Sequence, residues 1–116
     1  MMSKLKLTKR DFNEVSNIIM KLFPEFQDEL FEELDPNRQN LHGLFQDFTY
    51  YYGKYHSTIS NKNLIHFAEL INQSVTKNDV LENAISTCFL EHLYQIQSAK
   101  PIITYLTKQA KNRLYP

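Results

Sequence analysis

The sequence predicts an all-α protein, a compact single-domain bundle of five to six helices spanning residues 1–116. Three observations carry that prediction. Apolar residues recur at helical spacing along most of the chain, so each segment has one stripe to bury. Two glycines and four prolines in 116 residues leave few places for hairpin turns. With 42% hydrophobic residues, among them eight Phe and seven Tyr, the chain has material for one core.

Thr8 and Asp11 read as a capped start, with side-chain oxygens meeting free backbone N–H groups. Phe12, Val15, Ile19, Leu22 and Phe23 then share a face, and Pro24 ends the first helix. A second helix follows at once with Phe26, Leu30 and Leu34 on one side, and Asp35-Pro36-Asn37 breaks it. A third, from about Asn37, lines up Leu41, Leu44, Phe45, Phe48 and Tyr52, with Tyr51 and His42 on its flanks and Gly53 as its expected end. His56 to Lys62 reads as a loop.

Ser60 is placed to cap a fourth helix whose inner face is Leu64, Phe67, Ala68, Ile71 and Val75. After a short Thr76–Asp79 connection, Val80 to Ile96 reads as the central helix: Leu81, Ala84, Ile85, Cys88, Phe89, His92 and Ile96 form one broad face, and Leu90 lies on the back among the small residues Asn83, Ser86 and Thr87. A last helix, with Pro101 in its first turn, buries Ile102, Leu106 and Ala110 and turns Lys108 and Lys111 outward.

Thirteen basic residues balance thirteen acidic ones, which argues against direct nucleic-acid binding of the general electrostatic kind. The basic start MMSKLKLTKR lacks the apolar run of a secretory signal, and no stretch approaches a membrane span, so a cytoplasmic protein is expected. The single cysteine, Cys88, falls in an apolar face and reads as a small buried hydrophobe. His42, His56, His66 and His92 show no metal-ligand spacing, and no glycine-rich phosphate loop or nucleophile elbow is present; no metal, cofactor or catalytic residue is assigned. Lys4, Lys6, Lys9 and Arg10 at one end and Lys100, Lys108, Lys111 and Arg113 at the other would form a phosphate-binding patch if the ends met.

Charge distribution selects the candidate surface. Glu25, Asp28, Glu29, Glu32, Glu33 and Asp35 lie opposite the apolar stripe of the second helix, with no lysine or arginine between Lys21 and Arg38 to relieve their repulsion. A basic partner would offset that repulsion and be steered to this face. Asp47 and Tyr50, on the outer side of the third helix, complete the set; an exposed tyrosine offers contact area with little side-chain entropy to lose.

The succession FPEFQDEL, LFQDFTYYY and ENAISTCFLEHL resembles small all-helical bacterial proteins, some of which are immunity proteins of contact-dependent growth inhibition and related polymorphic toxin systems. The resemblance covers much of residues 22 to 93. It implies a non-enzymatic cytoplasmic inhibitor that binds one cognate toxin domain, often a nuclease, and blocks its active-site cleft. A second resemblance, of Arg38 and His42 to the Arg and His pair of the HEPN ribonucleases, implies RNA cleavage instead, although the pair is closer in sequence here than in that family. A regulatory adaptor is the third reading.

Overall fold

Asp11 starts the first helix, α1 (Phe12–Leu22), in extended backbone, its carboxylate accepting from the Glu14 N–H at 2.9 Å. The computed structural model describes residues 6–26, 40–95 and 100–114. Leu22 ends α1, and residues 24–26 make one further helical turn. The rest of the predicted second helix, including Leu30 and Leu34, lies outside the described residues.

Asn40 caps α2 (Leu41–Tyr55) through the Gly43 N–H at 2.8 Å, so that helix begins four residues after Asn37. Gly53 does not end it. The Tyr51 and Tyr55 rings, one turn apart with centroids 5.0 Å from each other, hold the last turn helical past the glycine. What was expected as loop then contains a 3₁₀ turn, His56–Thr58, before Ser60 caps α3 (Asn61–Ser74).

Asp79 caps α4 (Val80–Cys88), but the expected central helix is interrupted. Phe89 leaves helical geometry (φ −124, ψ −61), and the chain continues as a 3₁₀ segment, Leu90–Gln95. With three residues per turn, Leu90 and Leu93 eclipse one another. Both are fully buried. The same change of phase corrects the placement of His92, which is exposed rather than set in the apolar face. The expected last helix is also two pieces, α5 (Lys100–Ile103) and α6 (Lys108–Lys111). Asn72 of α3 holds the break from both sides, donating to the Tyr105 carbonyl at 3.1 Å and accepting from the Thr107 N–H at 2.9 Å. Ile102, Leu106 and Ala110 are buried across the interruption, as their spacing predicted.

The result is an all-α domain, with six α-helices, two 3₁₀ segments and no strand among the described residues. A Cα radius of gyration of 13.1 Å is that of one packed domain of this length. No helix among the described residues is long and apolar enough to cross a membrane. Among the described elements α3 packs on α1, α4, α5 and α6, while α2 packs chiefly on α4. At the centre is an aromatic cluster. Phe48 lies with its ring centroid 4.8 Å from Phe67, 5.1 Å from Phe23, 5.3 Å from Phe26 and 6.0 Å from Phe89. Cys88 is a free, buried thiol.

Candidate functional site

Helical phase divides the three consecutive tyrosines of α2. Tyr51 and Tyr52 are buried, Tyr51 more deeply than a flank position implies, whereas Tyr50 is 72% exposed. Burial pushes the Tyr52 phenol up to about 12. Tyr50 therefore stands on a helix whose opposite side is locked into the aromatic core. Glu25 is exposed, and the next residue, Phe26, packs against Phe48 and Tyr51, both at 5.3 Å between ring centroids. That contact seats the start of the acidic stretch beside α2. Asp47 is half-buried and already engaged within the fold, so it is a less available carboxylate than the sequence suggested. Asp28, Glu29, Glu32, Glu33, Asp35 and Arg38 lie outside the described residues. His42 is half-buried, its Nε2 3.4 Å from the Asn83 side-chain nitrogen.

A second feature was not foreseen. An open groove of about 730 Å³ runs along α4, between its Val80–Thr87 side with Glu91 and the C-terminal residues Asn112–Leu114. Its near end is organised by two arginines from opposite ends of the chain. The Arg10 Nε donates to Asp79 Oδ2 at 2.6 Å and its Nη2 to Oδ1 at 3.0 Å, while the same guanidinium donates to the Gln73 and Ser74 carbonyls. Arg113 pairs with the buried Glu82, whose other oxygen accepts from the Asn78 N–H at 2.7 Å. Asn78 reaches that position with φ 52, in the left-handed region that asparagine tolerates better than most residues.

The hydrogen bonds from Arg10 hold the Asp79 carboxyl down at about 2, against an opposing desolvation, and raise the arginine in turn. Arg10 and Arg113 thus do not contribute to a free phosphate patch: each is committed to a carboxylate at the start of α4. Lys6, Lys9, Lys108 and Lys111 are exposed, and Lys4 and the Lys100 side chain are outside the described set. Among the described residues no three His, Cys, Asp or Glu side chains are grouped to hold a metal.

A family model described as Domain of unknown function (DUF7674) matches residues 16–115. The chain belongs to the DUF7674 family. No curated protein and no solved structure matches it. Both surfaces fall inside the DUF7674 span, which takes in α2, α4 and the Asn112–Leu114 wall, whereas Arg10 precedes it. The groove eluded sequence reasoning because its residues, from Asn78 to Leu114, share no motif. The one available signal was the pair of acids at the head of α4, Asp79 and Glu82, with arginines near both chain ends.

Proposed function

We propose that this DUF7674 protein is an immunity protein: a cytoplasmic, non-enzymatic inhibitor that binds a cognate toxin nuclease and occludes its basic active-site cleft. The observation that carries the reading is Tyr50, 72% exposed on a helix whose next two tyrosines are buried. A large aromatic side chain held rigidly in solvent is the kind of group that dominates protein interfaces. Glu25 is exposed, the next residue packs on α2, and in sequence Glu25 leads into Asp28, Glu29, Glu32, Glu33 and Asp35. Carboxylates there would sit where the nuclease's phosphates sit, drawing the basic cleft by long-range attraction and then pairing with its lysines and arginines.

The test expresses the product of the gene immediately upstream of this one and uses it as titrant in calorimetry, with growth protection measured in parallel. Tyr50→Ala is expected to weaken binding by about 2 kcal/mol or more, as a central anchor does. Joint reversal of Glu29, Glu32 and Glu33 to Lys is expected to abolish protection and to remove the salt dependence of binding. Full protection by both folded variants would overturn the proposal. RNA cleavage by the purified protein that disappears in Arg38→Ala and in His42→Ala would replace it with the ribonuclease reading.

A further inference from the structure

Two polar side chains without partners among the described residues border the same groove. Ser86 is 7% exposed, and its Oγ is the buried side-chain oxygen or nitrogen without a hydrogen bond among the described residues. A serine hydroxyl carries one donor and two lone pairs, and native interiors rarely leave such a group unpaired without a reason. Glu91, half-buried at the far end, makes no hydrogen bond or ion pair with the described residues. Both line the groove.

The charge balance shows what the groove lacks. Its three carboxylates are Asp79, Glu82 and Glu91. Arg10 answers the first and Arg113 the second, whereas Glu91 has no cationic partner among the described residues. The groove is lined besides by neutral groups with lone pairs to offer: the Asn83 and Asn112 amides and the hydroxyls of Ser86 and Thr87. Thr87 already uses its proton on the Asn83 carbonyl at 2.8 Å, so toward the groove it is an acceptor. At the rim, Val80 is 62% exposed and Leu114 is half-buried, which gives apolar surface for an aliphatic stem.

We infer that this groove receives an arginine side chain presented by a partner protein, with Glu91 as the counter-charge and Asn83, Ser86, Thr87 and Asn112 as acceptors. Arginine fits better than lysine because its planar guanidinium projects five donors at once, matching several acceptors distributed around one carboxylate. The Ser86 Oγ, itself closed off in the free protein, reaches the guanidinium by turning to another of its staggered positions on the groove side. The inference is independent of the proposed function, since it involves α4 rather than Tyr50 and the acidic stretch.

The probe is acetyl-Gly-Arg-Gly-amide, titrated into the ¹⁵N-labelled full chain and followed by amide chemical shifts, with the lysine peptide and the uncharged citrulline peptide alongside. The arginine peptide is expected to give saturable shifts at Asn83, Ser86, Thr87, Glu91 and Asn112, the lysine peptide weaker ones and the citrulline peptide none. Glu91→Gln is expected to lower affinity by about threefold or more, the loss of one charge-assisted hydrogen bond, with the rest of the spectrum unchanged. Tyr50→Ala is expected to leave the titration unaltered, so the groove and the α2 surface succeed or fail separately. Shifts scattered over all exposed acids, equal shifts from the citrulline peptide, or undiminished binding by folded Glu91→Gln would each overturn it.

Discussion

Replacing Asp79 by Asn removes a charge while keeping the helix cap, because an asparagine oxygen accepts the Glu82 N–H as the carboxylate does, at 3.1 Å in the parent. The magnitude follows from the depressed carboxyl. Holding it at about 2 against an ordinary 3.8 corresponds to roughly 2.4 kcal/mol at full strength. The Asp79 side chain is 37% exposed, however, and solvent screens the pair, so about 1 kcal/mol is the expected loss at neutral pH. Arg10 is not stranded by the change, since it keeps the Gln73 and Ser74 carbonyls. Asp79→Ala forfeits the cap as well and is expected to lose about 1 kcal/mol more. Because the folded carboxyl lies below the unfolded one, its contribution is complete above about pH 4 and is lost as pH falls toward about pH 2. Urea unfolding followed by circular dichroism should therefore show parent and Asp79→Asn converging in acid. A gap that stays constant from neutral pH to about pH 2, or no gap at neutral pH, would refute the coupling between Arg10 and Asp79.

Phe89→Ala is expected to destabilise the fold by about 3–5 kcal/mol in the same assay, since the ring is fully buried against Phe48, Tyr52 and Phe67 with centroids 6.0, 5.4 and 5.3 Å away. A loss below about 1 kcal/mol is surface behaviour and would contradict that burial. Thr49→Val should lose about 1–2 kcal/mol, because the single Thr49 proton serves the Phe45 carbonyl at 2.6 Å and the Cys88 carbonyl at 2.5 Å, and the latter ends α4. Unchanged stability would show that the α2–α4 seam does not depend on this hydroxyl.

The inward faces were legible in the sequence because burial selects the side of a helix, and side is what a period near four reports. Val15 and Ile19 in α1, Leu64, Phe67, Ala68 and Ile71 in α3, and Ile102, Leu106 and Ala110 across α5 and α6 are all buried as their spacing requires. Continuity was less legible. Leu106 and Ala110 keep helical spacing through a break that Asn72 stabilises from another helix, and local periodicity carries no information about a partner so distant in sequence. The interruption at Phe89 has the same origin. A straight helix would have separated Leu90 from the Phe89 face, whereas a 3₁₀ turn lets Phe89, Leu90 and Leu93 all reach the interior, so tertiary burial outweighed helical continuity. Arg10 and Arg113 read as loose charges until folding brought each to an acid of α4.

The two surfaces differ in what they present, and that difference bears on what each can recognise. Tyr50 is mounted on a helix whose inner side includes Phe48, Tyr51 and Tyr52, so moving that helix would disturb the aromatic cluster of the core. Such a surface loses little entropy on association and suits one partner of fixed shape. The groove has one wall of that kind, α4, and one that ends at the described C-terminal residues, where Arg113 spans to Glu82 from a side chain that is itself 42% exposed. That pair joins an exposed arginine to a buried glutamate, so breaking it would strand a buried charge, and this wall is held as well. Tyr50 offers a broad aromatic contact and is the better candidate for choosing a partner by shape. The groove, whose Glu91 has no partner among the described residues, is better suited to a single projecting cationic side chain.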